Sequence, residues 1–111
     1  ATSGRLKAIA VTSATRARLL PNVPTMVEAG VPGYEAISWN GIFAPARTPR
    51  PIVNQIHTEV VKILNMPDVR ERLVAVGSDP IGSTPEQFTA HVKLELARWG
   101  KVIRDNNIRS D

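Results

Sequence analysis

Hydrophobic residues follow two spacings along this chain, which predict strands mainly in its first half and helices in its second half. Residues 6–12 are apolar apart from one lysine and close on a threonine, which is typical of a strand buried on both faces of a parallel sheet. Residues 34–44 carry β-type side chains with no charge after Glu35, so we expect one long strand there, bent at Gly41. Residues 79–82 predict a further short extended piece.

Threonine, proline and glycine mark the ends of two predicted helices. Thr48-Pro49 is typical of an N-cap followed by proline at the first helical position, and apolar residues at helical spacing continue to about Asn65. A second helix is expected over residues 67–76, and Gly77 is expected to end it. The two helices should form a pair.

The last helix has the clearest pattern in the chain. Its start, Thr84-Pro85-Glu86-Gln87, combines an N-cap, a proline in the first turn and the glutamine of a capping box, and Asn106-Asn107 is expected to end it. One apolar stripe runs along the helix and needs a partner to pack against. The stripe consists of Phe88, Val92, Leu96, Trp99 and Ile103.

A shorter capping box is expected near the middle of the first half. Thr25 and Glu28 have the spacing at which each side chain can bond the backbone N–H of the other residue. A helix of one or two turns is therefore expected, stopped by Gly30.

Strands alternating with amphipathic helices predict an α/β fold, with a partial mixed sheet flanked by helices. About two good strands are few for this many helices, because sheets usually contain about four to six. We therefore expect that part of the sheet is missing from these residues.

Composition and charge exclude several functions. The chain has 111 residues, no cysteine and a net charge of +4, so it offers no disulfide and no thiolate metal site. Its basic residues are dispersed among acidic ones and aromatic residues are only 5%, so nucleic-acid binding is not expected. No apolar run is long enough to cross a bilayer, and the first residues lack the apolar core of a signal peptide.

No set of residues predicts catalysis, a metal or a cofactor. His91 and Glu95 have a spacing that can bind a metal, but two ligands without a third do not form a site. No serine lies in a Gly-x-Ser-x-Gly turn, and Ser38 is better explained as a strand residue than as a nucleophile. Glycine-rich phosphate loops are also missing from the sequence. We therefore expect a protein that is not an enzyme and that uses no cofactor.

The two tryptophans have different expected roles. Trp99 belongs to the apolar stripe of the last helix and is interpreted as a core residue. Trp39 lies among Ser38, Asn40 and Gly41. The preferred interpretation of Trp39 is ordinary packing, and the alternative is a place in a ligand cleft or on a strand that crosses between domains.

Three stretches resemble one known family. They are residues 4–13, the block Leu20-Pro21-Asn22-Val23-Pro24-Thr25 with Glu28-Ala29-Gly30, and residues 34–46, which contain Trp39-Asn40-Gly41. Together with the helix pair, the segment 82–88 and Trp99-Gly100-Lys101, they resemble the Bug family of substrate-binding receptors of tripartite tricarboxylate transporters, and in particular its C-terminal third.

The resemblance implies a periplasmic type II binding-protein fold, whose two lobes capture small carboxylates and deliver them to a membrane permease. It implies that residues 1–33 are the end of the second lobe and a connector, that 34–46 form a strand crossing between lobes, and that 47–111 complete the first lobe with helices and a short strand. Ser13 and the crossing residues Ser38, Trp39, Asn40 and Gly41 are the candidate ligand-binding or hinge residues.

An alternative interpretation is a standalone, self-associating interaction domain without small-molecule binding. Under either interpretation the isolated chain is expected to self-associate, because sheet edges and apolar helix faces would lack partners.

Overall fold

The computed structural model describes residues 5–109 and contains three α-helices in this range: α1 (Arg50–Leu64), α2 (Pro67–Ala75) and α3 (Pro85–Asp105). All three lie where helical spacing predicts them. None of these helices combines the length and the apolar character that crossing a bilayer requires.

The start of α1 differs by one residue from the prediction. Thr48 is not the N-cap, because its hydroxyl donates a hydrogen bond to the carbonyl of Pro45 (2.8 Å) and so belongs to the preceding turn. Pro49 takes the N-cap position and makes no side-chain capping bond. The predicted end is confirmed, since Asn65 follows the last helical residue and its side-chain amide donates to the carbonyl of Val61 (2.9 Å).

A glycine ends α2, as predicted. The N–H of Ser78 donates to the carbonyl of Leu73 (2.9 Å) and the N–H of Gly77 donates to the carbonyl of Val74 (2.9 Å), which is the double bond pattern of a Schellman motif. Gly77 has φ +80, a conformation that suits glycine.

A capping box begins α3, and a residue with positive φ follows its end. At its start, the N–H of Gln87 donates to the Thr84 hydroxyl (3.2 Å) and the Thr84 N–H donates to the Gln87 amide oxygen (2.9 Å), which confirms the predicted capping box. At its end Asn107 has φ +51, and the N–H of Ile108 reaches the carbonyl of Ile103 (3.0 Å).

The predicted partial sheet is not confirmed, because residues 5–109 contain no β-strand. A single parallel bridge joins Val11 to Thr25, with the Val11 N–H on the carbonyl of Pro24 (2.8 Å) and the Met26 N–H on the carbonyl of Val11 (2.9 Å). A strand exists only when a neighbour bonds it along its length. Residues 6–12, 34–46 and 79–82 find no such neighbour in the part of the chain that the structure describes.

The described residues form two compact units. The first takes residues from 5–40 and 70–80, and the second from 41–69 and 81–109. In the second unit α1 contacts α3, and Gly82 lies against Val61 of α1. The division into lobes at residues 33 and 46 stays a prediction.

Burial is slight throughout the described range. Thr25 and Glu95 are buried, at 3% and 6% exposure, and no apolar side chain among residues 5–109 reaches that level. Many large hydrophobic side chains therefore face outward, including Leu96 at 70% exposure.

Candidate functional site

The first unit is organised around the buried residue Thr25. Its N–H donates to the Glu28 carboxylate (2.8 Å), and the N–H of Glu28 donates to the Thr25 hydroxyl (3.1 Å). This confirms the capping box expected from the spacing. It closes a single helical turn, with the Ala29 N–H on the Thr25 carbonyl (2.9 Å), rather than a longer helix, because the chain turns away at Gly30 with φ +100.

Arg16 binds the same carboxylate. Its Nε donates to both oxygens of Glu28, at 2.9 and 3.2 Å, and its Nη1 donates to the carbonyl of Pro21 (3.2 Å). The Arg16 hydrogen bond and then the Thr25 backbone hydrogen bond hold the pKa of Glu28 below its ordinary value. The Glu28 carboxylate is therefore ionised near neutral pH, and Arg16 compensates its charge.

A pocket of about 290 Å³ opens beside this pair in the first unit. Its lining comprises Ala14, Thr25, Val27, Glu28, Gly33, Tyr34 and Glu35. Two of these residues are acidic and none is basic, so the lining supplies no counter-charge for a bound carboxylate. This pocket suits water or a neutral polar group better than an organic acid.

The structure places four of the five predicted site residues in the first unit. Ser13 is half-buried, and its hydroxyl donates to the carbonyl of Thr15 (2.7 Å). Neighbouring Thr12 accepts a hydrogen bond from the Ala36 N–H (3.0 Å), which brings the two predicted strands together at one point. Of the three residues that follow, Ser38 and Asn40 are exposed and Trp39 is half-buried. Their roles in binding stay predictions.

The fifth residue, Gly41, belongs to the second unit and packs against α3. A side-chain carbon at this position would lie 2.7 Å from Cε1 and 2.8 Å from Cε2 of Phe88. The φ of Gly41 is outside the positive region. Glycine is thus required here by space and not by an unusual backbone angle.

Sequence reasoning missed the contacts of two residues, Phe88 and Arg16. Phe88 was assigned only to the apolar stripe, although an aromatic residue in a first helical turn is well placed to meet an incoming segment. Arg16 and Glu28 are 12 residues apart, and no local spacing rule indicates that they meet.

The prediction that Trp99 is a core residue is wrong for the described residues, since Trp99 is 39% exposed. Its indole N–H donates to the carboxylate of Glu95 (2.9 Å), and Arg98 lies 3.3 Å from the same carboxylate. The polar end of the ring is held on α3 itself, while Leu96, Trp99 and Ile103 of the apolar stripe are exposed. Within the described range, His, Asp and Glu side chains form no group of three that could hold a metal.

Comparison with solved structures defines the class of protein. The chain is similar to the structure of the periplasmic binding protein BugD, with a TM-score of 0.81 and 34% identity, over 99% of this chain and 38% of that one. It is also similar to R. palustris Rpa4515, solved with adipate, with a TM-score of 0.73 and 42% identity, over 86% of this chain and 32% of that one. The chain is thus similar in fold and sequence to a periplasmic binding protein, BugD.

The family follows from the sequence match. The model of the tripartite tricarboxylate transporter family receptor matches residues 1–108, and the chain belongs to this family. A curated relative, the UPF0065 protein in the tcbD-tcbE intergenic region of Pseudomonas sp. strain P51, is 40% identical over 96% of this chain and 32% of its own length. The chain thus spans about a third of that relative. Members of the family are binding receptors and not enzymes.

Proposed function

We propose that this chain is part of a periplasmic receptor that captures a small organic carboxylate and delivers it to a membrane permease. The observation that carries this proposal is the similarity to Rpa4515, a protein solved with adipate, at 42% identity. The family supplies the receptor role, and binding by closure of two lobes requires no covalent chemistry.

The complete receptor, rather than these 111 residues alone, is proposed as the binding unit. The chain spans between 32% and 38% of its two solved relatives, so most of each relative's residues have no counterpart here. An isolated chain of this length is expected to show no measurable affinity for adipate.

Ser13, Ser38, Trp39, Asn40 and Gly41 are proposed as ligand-binding or hinge residues of the receptor. Hydroxyl and amide groups can donate hydrogen bonds to a carboxylate, and an aromatic ring can cover the aliphatic part of the solute. The acidic pocket beside Glu28 is not proposed as the carboxylate site, because its lining contains no cation.

The experiment is a calorimetric titration of the complete natural protein that contains this sequence. Adipate is expected to bind, whereas the diol of the same chain length is expected not to bind. In protein labelled with fluorotryptophan, the Trp39 signal should shift on binding and the Trp99 signal should not. A protein that binds neither adipate nor related dicarboxylates would contradict the proposed function.

Self-association of the isolated chain remains part of the proposal, and the exposed apolar residues of α3 support it. A standalone interaction domain, the alternative raised by the sequence, has no counterpart among the relatives described above.

A further inference from the structure

The second unit holds a tight contact between a glycine and an aromatic ring that the sequence did not indicate. The ring of Phe88 occupies the space in which any side chain at position 41 would begin. Because the φ of Gly41 is not positive, this close approach explains the glycine without any appeal to backbone freedom.

The Phe88 ring is itself held in place. It lies in the first turn of α3, and its N–H donates to the carbonyl of the N-cap residue Thr84 (2.9 Å). The ring of Phe43 packs against it with centroids 5.1 Å apart at 54°, and the His91 ring is stacked at 6.5 Å. Such tilted and stacked arrangements are favourable for aromatic pairs. Phe88 therefore presents a fixed surface to the backbone of Gly41.

We infer that Phe88 is a positioning residue for Gly41, and that Gly41 is a packed anchor point of the second unit rather than a flexible hinge. This inference rests on the proposed function, because Gly41 is one of the proposed ligand-binding or hinge residues.

Two accounts of Gly41 predict different results. If Gly41 is a hinge, alanine restricts its motion, and the size of residue 88 does not matter. If Gly41 is an anchor, alanine collides with the Phe88 ring, and a smaller residue 88 relieves the collision. Interaction between neighbouring positions is measured by a double-mutant cycle.

The experiment uses the complete natural protein with Gly41→Ala, Phe88→Leu and the double variant. Gly41→Ala is expected to weaken adipate binding about tenfold, as overpacking of a tight contact does, and to shift the Trp39 fluorine signal of the unliganded protein. The double variant should bind adipate better than Gly41→Ala alone and should return the Trp39 signal toward its original position. The control is Gly100→Ala, where the new carbon meets only the mobile end of Arg104 (3.3 Å), and it should change neither readout.

Each outcome decides the inference. Rescue by Phe88→Leu supports an anchor, and so does recovery of folding by the double variant if Gly41→Ala alone fails to fold. An unchanged Trp39 signal in Gly41→Ala, or a defect that Phe88→Leu does not relieve, overturns it. The Trp39 signal is read without solute, so a protein that does not bind adipate would refute the proposed function while still testing the anchor.

Discussion

At the scale of single residues, Arg47 has a backbone conformation that side chains rarely adopt. Its φ is +98, in a turn closed by the N–H of Thr48 on the carbonyl of Pro45 (3.0 Å). Turns with positive φ at the third residue normally have glycine or asparagine there.

We expect Arg47→Gly to raise the free energy of unfolding by about 1 kcal/mol, because glycine removes strain of that order. Urea unfolding measures the change. The matched control is Ala46→Gly in the same turn, where φ is not positive, and which should lower stability because glycine adds freedom to the unfolded chain. A loss of stability in Arg47→Gly would show that the conformation carries no strain.

The contacts of Glu28 predict how the stability of the fold depends on pH. Arg16 and the Thr25 N–H lower the pKa of this carboxyl in the folded protein below its ordinary value of 4.5. A carboxyl with a depressed folded pKa stabilises the fold above the unfolded pKa, and this contribution disappears as the pH falls through the folded pKa. The effect is modest because the side chain is 46% exposed.

Glu28→Gln is therefore expected to lower the thermal midpoint near neutral pH, and the difference from the original protein should shrink on acidification below the ordinary pKa of 4.5. Thermal unfolding across this range checks the expectation. Glu59→Gln is the control, since Glu59 forms only an exposed pair with Lys62 on α1. A difference that is constant with pH would contradict the assigned cause.

At the scale of elements, the capping box of α3 makes a measurable contribution. Replacing Thr84 with alanine removes the acceptor for the Gln87 N–H, and such a change costs about 1 kcal/mol. Thr89→Ala is the control, because its hydroxyl donates to the Pro85 carbonyl (2.7 Å) inside the helix and alanine favours helix. Urea unfolding followed by circular dichroism should separate the two variants, and equal stability would refute a role for the cap.

Whether a predicted helix or strand is confirmed depends on how far apart in sequence its hydrogen-bonded residues lie. α1, α2 and α3 lie close to their predicted bounds because their bonds and caps join residues three to five apart. The predicted strand at 6–12 forms the bridge from Val11 to Thr25 and one hydrogen bond from Ala36 to Thr12, but no ladder, since a ladder depends on partners that are distant in sequence. Spacing alone indicates that a segment suits a strand without indicating what pairs with it.

At the scale of the whole molecule, the outward-facing apolar residues predict behaviour in solution. No apolar side chain among residues 5–109 is buried, and α3 exposes Leu96, Trp99 and Ile103. Contiguous apolar surface of this kind promotes association.

We expect the isolated chain to self-associate with a concentration dependence, measured by sedimentation velocity over a roughly hundredfold range of concentration. Leu96→Lys should weaken association by placing a charge on the stripe, whereas Lys93→Arg, on the same helix, should leave it unchanged. A monodisperse monomer at every concentration, with native helix content, would contradict the expectation.

The sequence by itself determined the three helices, the ends of α1 and α2, the capping boxes at Thr84 and Thr25 and the family, because each depends on residues close together in the chain or on their consecutive order. Tertiary structure alone decided that Arg16 meets Glu28, that the Phe88 ring covers Gly41 and that Trp99 lies partly in solvent. The physical reason is that helix ends satisfy hydrogen bonds within a few residues, whereas packing and ion pairs depend on where distant segments meet.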